Sequence, residues 1–419
     1  MSLTELTGAQ PAANRRWLSI VGIGEDGIDG LSVLGRELVQ SASLVFGGTR
    51  HLALAAPLIR GTSRPWTSPF DRSVAEILAN RGRNVCVLAT GNPFLYGVGS
   101  LLSPHVSREE TLTVPAPSAF GLAAARLLWP LPQTTLLSLC GRSTDLIRPH
   151  LHPGTRILAL TSDEQTPAAL SRLLCQTGFG HSQVTVLESL SGPRERIRTA
   201  RADSFALDAI DPLNTVAIEV EAEVGARVLP RAAGLNDEWF EHDGQLTKRE
   251  IRALTLSALA PRRGEHLWDI GAGSGSVAIE WLLADPSLTA IAIERHAERA
   301  ERARRNAAAF GVPHLQLVEG VAPEALEGLT TPDAVFIGGG ASQPGVLDTV
   351  RLALRSSGRL VVNAVSLQTE AVLLNYQSRW GGTLTRIAIA RASPIGGAQA
   401  RMSGWRPQMP IMQWTWEKP

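Results

Sequence analysis

The chain reads as an α/β protein with mainly parallel sheets, its second half a doubly wound sheet. Three observations predict this. Short strand-like apolar runs alternate with helix-like runs from end to end. Glycine-rich loops follow several of those runs, at the carboxyl ends where α/β sheets place their ligands. At 419 residues, 44% of them hydrophobic, the chain has length for two or three domains with ordinary cores.

The first half opens with Trp17 to Gly24, a strand entering a glycine turn. A second buried-type strand, Asn84 to Ala89, leads into the loop Thr90-Gly91-Asn92-Pro93-Phe94-Leu95-Tyr96-Gly97. Further turns at Pro115 to Phe120, Ser138 to Arg142 and Ser189 to Pro193 also end strand-like runs, so one shared cleft is expected. After the β-rich run Thr215 to Glu221 the pattern breaks at Leu229 to Asn236, where Pro230, Gly234 and Asn236 interrupt it. Residues 1–233 and 236–419 are therefore expected to form separate domains.

The second half begins with Thr247-Lys248-Arg249-Glu250, which predicts a capping box with Thr247 as N-cap. Strands are expected at His266 to Ile270, Ala290 to Glu294, Leu315 to Val318, Asp333 to Ile337, Arg359 to Val365 and Leu384 to Ala390. An amphipathic helix is expected from Val277 to Ala284. Arg295 to Phe310 reads as a helix closed by Gly311 and Pro313. Pro410 to Trp416 suits an antiparallel edge strand.

Composition excludes several classes. A net charge of +1 argues against a large nucleic-acid surface. Cys86, Cys140 and Cys175 form neither a disulfide framework nor a metal knuckle, and no metal site is expected. Met1 to Arg16 lacks the apolar core of a secretion signal, and no apolar run approaches a membrane span. The expectation is a soluble cytoplasmic protein, a homo-oligomer, with a small-molecule substrate. Lys248 and Lys418 are the only lysines, so nearly all positive charge is arginine, a side chain suited to ligands with many carboxylates.

Leu267 to Ser276 carries the most chemistry. An apolar run ends in Asp269, breaks into Gly271, Gly273 and Gly275, and restarts as a helix. Such glycines let backbone amides approach a ligand beside a helix N-terminus. The next run ends in Glu294, a carboxylate placed to grip a ribose diol. A dinucleotide site would show G-x-G-x-x-G. Here G-x-G-x-G after an aspartate resembles the first motif of S-adenosylmethionine-dependent methyltransferases.

The resemblance extends further. Gly91 to Gly97 and Pro115 to Phe120 match, in order, the G-[DN]-P-x-x-Y-G and P-x-x-S-x-F segments of the tetrapyrrole methyltransferase family. The second half is similar to small corrin methyltransferases that act on carbon 15 and decarboxylate. It carries their pieces as Thr247 to Arg252, Asp269 to Ser276, Ala292 to Arg295, Glu319 to Pro323 and Phe336 to Gly340. The resemblance implies a two-part tetrapyrrole methyltransferase-type α/β domain followed by a Rossmann-like class I methyltransferase domain. It implies methylation of carbons 5 and 15 of a precorrin-6 intermediate in cobalamin biosynthesis. Loss of the ring C acetate carboxyl would then give precorrin-8. The natural division gives carbon 5 to the first half, and carbon 15 with the decarboxylation to the second.

It also implies S-adenosylmethionine contacts at Gly271, Ala272, Gly273, Ser274, Gly275, Glu294, Val321 and Ala322, with Thr247 near the cofactor carboxylate. In the first half it implies Gly24, Gly91, Asn92, Pro93, Gly97 and Ser118. Asn92 stands where aspartate is common in the family loop, Cys140 where histidine is common, and Val321 where an adenine-binding acid is usual, leaving adenine to backbone groups. Arg142, Arg194, Arg391, Arg401 and Arg406 are candidates for substrate carboxylates. No proton donor for decarboxylation is assigned. Three alternatives stand: an RNA or protein methyltransferase fused to a degenerate tetrapyrrole-like domain, a module that only senses S-adenosylmethionine, and a nicotinamide oxidoreductase. Against the first, Gly338-Gly339-Gly340 stands where methylases of amide or adenine nitrogens place an Asn/Asp-Pro-Pro-aromatic stretch, and leaves room for a flat macrocycle.

Overall fold

The computed structural model describes residues 16–395 and 402–419. The N-terminal stretch before Arg16, and Arg401, lie outside the described residues. Contacts divide the chain into two units, Met1–Thr144 with His152–Arg227, and Asp145–Leu151 with Val228–Pro419.

The first unit holds two five-stranded sheets. One contains β1 (Leu18–Ile23), β2 (Leu44–Gly47), β3 (Thr62–Pro65), β4 (Val85–Thr90) and β5 (Thr111–Val114), all parallel, in the order β3-β2-β4-β1-β5. β1 and β2 are buried along their whole length, which is why they read as continuous apolar runs and not as alternating ones. Ile20, Phe46 and Val87 pack on one face, Val21, Val45 and Leu88 on the other. The second sheet contains β6 (Thr134–Ser138), β7 (Arg156–Leu160), β8 (Gln183–Glu188), β9 (Arg196–Arg201) and β10 (Asn214–Glu219), ordered β6-β7-β10-β8-β9. Only β6 and β7 pair in parallel there; the other neighbours run antiparallel.

The second unit is a seven-stranded sheet of β11 (His266–Ile270), β12 (Thr289–Glu294), β13 (Gln316–Glu319), β14 (Ala334–Ile337), β15 (Arg359–Ala364), β16 (Thr383–Ile387) and a last strand, Ile411–Glu417. A separate hairpin pairs β17 (Ala390–Pro394) with β18 (Ser403–Pro407), making the last strand β19. The order is β13-β12-β11-β14-β15-β19-β16, with β11 to β15 parallel and β19 antiparallel to both neighbours. Strand alternation feeds two cores: Leu267 faces one, Trp268 and Ile270 the other.

Four expectations need correction. The last strand is not an edge; β16 holds that position, and Met412, Trp414 and Trp416 of β19 are buried, Trp414 completely, with its indole N–H donating to the Gly381 carbonyl at 3.0 Å. The expected strand Leu384 to Ala390 divides, giving β16 and the start of the hairpin. The helix Ser276–Ala284 is not amphipathic: residues Ser276 to Leu282 are all buried, because it lies between the sheet and the helices Arg249–Leu259 and Ala297–Ala309. Finally, the capping box does not form. Lys248, not Thr247, occupies the N-cap position, with no side-chain cap, and Glu250 pairs with Arg391 instead.

What fixes that helix is Arg252, whose side chain is wholly buried. Its guanidinium donates to Glu280, to Asp237 at 3.1 Å and to the carbonyls of Leu235 and Thr247, and lies 4.7 Å from the Phe240 ring centroid. Glu280 in turn accepts from the Gly234 and Leu235 amides, at 2.6 and 2.9 Å. The segment after the sequence break is thus tied into the second unit by one buried ion pair. Arg252→Met removes the counter-charge of buried Glu280 and the donors to the Leu235 and Thr247 carbonyls. It is expected to cost about 3–5 kcal/mol, seen as a lowered denaturant midpoint for the second unit.

Candidate functional site

In the second unit the glycine loop is shaped from below by two carboxylates. Asp269, 1% exposed, is the next-to-last residue of β11, and its Oδ2 accepts the Ala278 amide at 3.0 Å, fastening the strand to the first turn of the next helix. Gly271, Gly273 and Gly275 all have left-handed φ, at 71°, 58° and 76°. They do different work. A Cβ on Gly271 would stand 2.8 Å from both N and O of Gly339, so this glycine lets the first loop touch the glycine run after β14. On Gly275 it would come within 3.0 Å of Ala303 in a packed helix. On Gly273 it would meet only the Gln245 carbonyl at 3.5 Å, so this position opens onto free space.

Glu294, 4% exposed, ends β12 and reaches back: its Oε2 accepts the Gly273 amide at 2.9 Å and its Oε1 the His296 amide at 3.0 Å. Neither Asp269 nor Glu294 has an arginine or lysine partner among the described residues. Burial, with Glu294 beside it adding to the effect, pushes the Asp269 carboxyl up to about 7 against the Ala278 hydrogen bond. Its Oδ1 and the Ser274 hydroxyl are buried with no hydrogen-bond partner. Uncompensated negative charge, orphaned polar atoms and an open glycine turn fit a cationic ligand with hydroxyl groups, and S-adenosylmethionine is one.

The other positions surround this loop. Gly320 donates to the Glu294 carbonyl at 3.1 Å, which brings Val321, 51% exposed, and Ala322, 9% exposed, to the end of the neighbouring strand. Ala272 donates to the Ile293 carbonyl at 3.2 Å. Thr247 offers its carbonyl to Arg252. A Cβ on Gly339 or Gly340 would meet nothing within 4 Å, so the space expected at that run is there.

In the first unit the glycine loops converge on one cavity of about 430 Å³. Gly24, Gly91, Asn92, Gly97 and Ser118 line it, as does Cys140; Pro93 does not, and its carbonyl instead accepts the Gly99 amide at 2.9 Å. Gly91, with φ 56°, lies so close to the Pro117-Ser118 backbone that a Cβ would stand 2.7 Å from the Pro117 carbonyl oxygen. Asn92 spends its carbonyl oxygen on the Phe94 amide, at 3.0 Å, and Ser118 caps the helix Ala119–Leu127 through Gly121. Asn92 therefore keeps the loop-forming bond that an aspartate would make, without the charge. The Cys140 thiol donates to the Thr161 carbonyl at 3.0 Å.

Sequence reasoning missed Glu25, Arg50 and His51, which also line this cavity. The signal was present, since Gly47 and Gly48 end β2 as Gly24 follows β1, but no motif marks it. Of the arginine candidates, Arg194 pairs with Asp211 at 2.7 Å and Arg391 with Glu250. Neither Arg142 nor Arg194 lines the cavity. Arg406 faces Arg391 across the β17–β18 hairpin.

Fold and loops define an S-adenosylmethionine-dependent methyltransferase of the tetrapyrrole class. A model of tetrapyrrole (corrin/porphyrin) methylases matches residues 18–206, and one of the precorrin methyltransferase domain matches 238–418. A precorrin-6Y C(5,15)-methyltransferase [decarboxylating] of Sinorhizobium sp is 56% identical over 99% of this chain and all of its own length. Its namesake in Mycobacterium tuberculosis (strain CDC 1551 / Oshkosh) is 40% identical over 94% of this chain and 98% of its own. The solved C-terminal domain of precorrin-6Y C5,15-methyltransferase from Rhodobacter capsulatus is 47% identical, with TM-score 0.42, covering 45% of this chain and all of that one. The chain belongs to the family of decarboxylating precorrin-6Y C(5,15)-methyltransferases.

An acid whose folded pKa stands above its unfolded value adds stability below the unfolded value, near pH 4, and loses it as pH rises through about 7. Asp269→Asn is expected to remove that loss. Hydrogen exchange of β11 amides, followed from pH 4 to 8, should show the native protein losing about 2–4 kcal/mol of protection relative to the variant. Parallel profiles would refute the raised carboxyl.

Proposed function

We propose that the chain methylates carbons 5 and 15 of a precorrin-6 intermediate and decarboxylates its ring C acetate, yielding precorrin-8 in cobalamin biosynthesis. The observation that carries this reading is the presence, in each unit, of its own strand-end glycine loops built around open space. S-adenosylmethionine supplies, when bound, a methyl group on a sulfonium that an electron-rich ring carbon can displace in line. The protein's part is positioning and exclusion of water.

In the second unit, Gly271, Ala272, Gly273, Ser274 and Gly275 would cradle the methionine and ribose portions, and Glu294 would accept from the ribose hydroxyls. Val321 and Ala322 would border adenine, while Asp269 fastens the base of the loop through the Ala278 amide. In the first unit, Gly24, Gly91, Asn92, Gly97 and Ser118 would line the corresponding site, with Pro93 shaping the loop. Loss of carbon dioxide breaks the bond between the methylene and the carboxylate of the acetate arm, its electron pair passes into the conjugated ring, and uptake of a proton leaves the arm as a methyl group. We assign carbon 5 to the first unit, and carbon 15 with decarboxylation to the second. A probable cobalt-precorrin-6B C(15)-methyltransferase (decarboxylating) of Saccharolobus solfataricus, 32% identical over 44% of this chain and 96% of its own length, supports keeping carbon 15 and decarboxylation together in one unit. The free space at Gly339 supports it too.

No helix among the described residues is long and apolar enough to cross a membrane. We place the enzyme in the cytoplasm, as a homo-oligomer. Met402 and Trp405, 70% and 77% exposed at the β17–β18 hairpin, offer apolar surface for self-association. Trp405→Ser is expected to lower the molar mass in light scattering, and an unchanged mass would remove this surface from consideration.

Glu294→Ala should reduce methylation at carbon 15 by roughly 10- to 100-fold, from the loss of charge-assisted hydrogen bonds. Gly339→Leu, whose Cβ meets no atom within 4 Å, should stop carbon dioxide release by filling the site. Both variants should still add the carbon 5 methyl. Mass spectrometry of the products separates these outcomes, and a Glu294→Ala enzyme with unaltered turnover would sink the assignment.

A further inference from the structure

Among the described residues lining the first unit's cavity, Arg50 is the only arginine or lysine and Glu25 the only carboxylate. Around them the walls are mostly apolar, with Trp66, Phe70, Tyr96 and Phe120 contributing rings. A lone guanidinium in such a cavity needs a reason, because burying a cation is costly unless acceptors surround it.

Arg50 is held in place by three acceptors. Its Nη1 donates to Glu25, and its Nη2 lies 3.0 Å from His51 Nε2 and 3.3 Å from Thr90 Oγ1. Because an arginine only donates, His51 Nε2 must be the acceptor, with the ring proton on Nδ1. Burial, and then Arg50 itself, hold His51 down at about 4, so the ring is neutral near pH 7 and suited to that role. Thr90, which ends β4, is 2.8 Å from the same ring nitrogen. This leaves the Nε–H and the second Nη1–H of Arg50 without a protein acceptor, on a side chain still 35% exposed. The free Nε–H and the remaining Nη1–H lie on different edges of the guanidinium, so each offers a single charge-assisted hydrogen bond to an incoming carboxylate oxygen.

We propose that Arg50, oriented by Glu25, His51 and Thr90, is the anchoring subsite for a side-chain carboxylate of the tetrapyrrole at the first unit's site. The inference rests on the function proposed above, since the macrocycle is what brings acetate and propionate arms into an apolar cavity. S-adenosylmethionine also carries a carboxylate, and the test separates the two sources. Glu25 balances the charge while the cavity is empty and yields to the incoming carboxylate.

The experiment uses the full chain with Arg50→Gln, Arg50→Lys and Glu25→Gln, and two readouts. In steady state, Arg50→Gln should raise KM for the tetrapyrrole in carbon 5 methylation by ~10- to 100-fold. KM for S-adenosylmethionine and the carbon 15 methylation should stay unchanged, with Arg50→Lys in between. In equilibrium binding to uroporphyrin, an octacarboxylic tetrapyrrole, Arg50→Gln should weaken affinity. Glu25→Gln, which frees the guanidinium, should match or exceed the native protein. The octamethyl ester should not distinguish the native protein from Arg50→Gln. If Arg50→Gln and Glu25→Gln fail alike, the pair is only structural and the subsite is refuted. A rise in KM for S-adenosylmethionine alone would move the carboxylate to the cofactor and overturn the proposal as well. A native chain that binds uroporphyrin through Arg50 but adds no carbon 5 methyl would overturn the division of labour and leave the subsite standing.

Discussion

Two buried carboxylates set the terms for the second unit. Asp269 and Glu294 stand at the ends of adjacent parallel strands, almost without solvent and without a basic partner among the described residues. Backbone amides hold them: Ala278 for Asp269, Gly273 and His296 for Glu294. These bonds need the chain to turn sharply three times in five residues, which is what left-handed Gly271, Gly273 and Gly275 allow. The loop exists in this shape because the carboxylates need donors, and the carboxylates are tolerable because the loop supplies them. What is left unpaid is charge, and a cationic methyl donor is the group that would neutralise it.

The first unit solves a related problem with different material. Its loops also gather at strand ends, and Gly91 packs against Pro117 and Ser118 as closely as Gly271 against Gly339. Side chains at the strand ends close the loops. Asn92 and Ser118 spend their oxygens on Phe94 and Gly121. The charge of the cavity is concentrated in Arg50 and Glu25, beside His51 and Thr90, while much of the remaining wall is apolar. Orientation there falls to a few fixed donors on an apolar surface, the usual economy of small-molecule sites.

How much of this the sequence discloses depends on whether a feature is local. Glycine spacing, the acid before it and the acid one strand later are local, and Asp269, Gly271 to Gly275 and Glu294 meet in the structure as their spacing implies. Alternating strands and helices are equally plain. Position within a sheet is not local. The last strand reads as an edge, yet inserts between β15 and β16, because only the assembled core shows that Trp414 needs cover on both sides. The same holds for Thr247: its spacing to Glu250 is that of a capping box, but Arg391, far along the chain, takes the glutamate. Long-range pairing overrides a local preference worth about 1 kcal/mol.

Arginine shows why composition could point to a ligand class and still miss the residue. Nearly every basic side chain is an arginine, so the type carries no positional information. Most are consumed in ion pairs: Arg196 and Arg198 neutralise the wholly buried Glu188, Arg359 holds Glu265, and Arg299 and Arg302 share Asp243. Proximity to a predicted loop cannot separate these from a ligand-facing one. The distinguishing property is a set of acceptors that fixes the guanidinium while leaving some of its donors free, which involves β1, β2 and β4 together. Arg50 meets that condition through its neighbour His51 and through Glu25 and Thr90, 25 and 40 positions away on either side. A functional guanidinium in an arginine-rich chain is therefore recognised by the donors that its partners leave free.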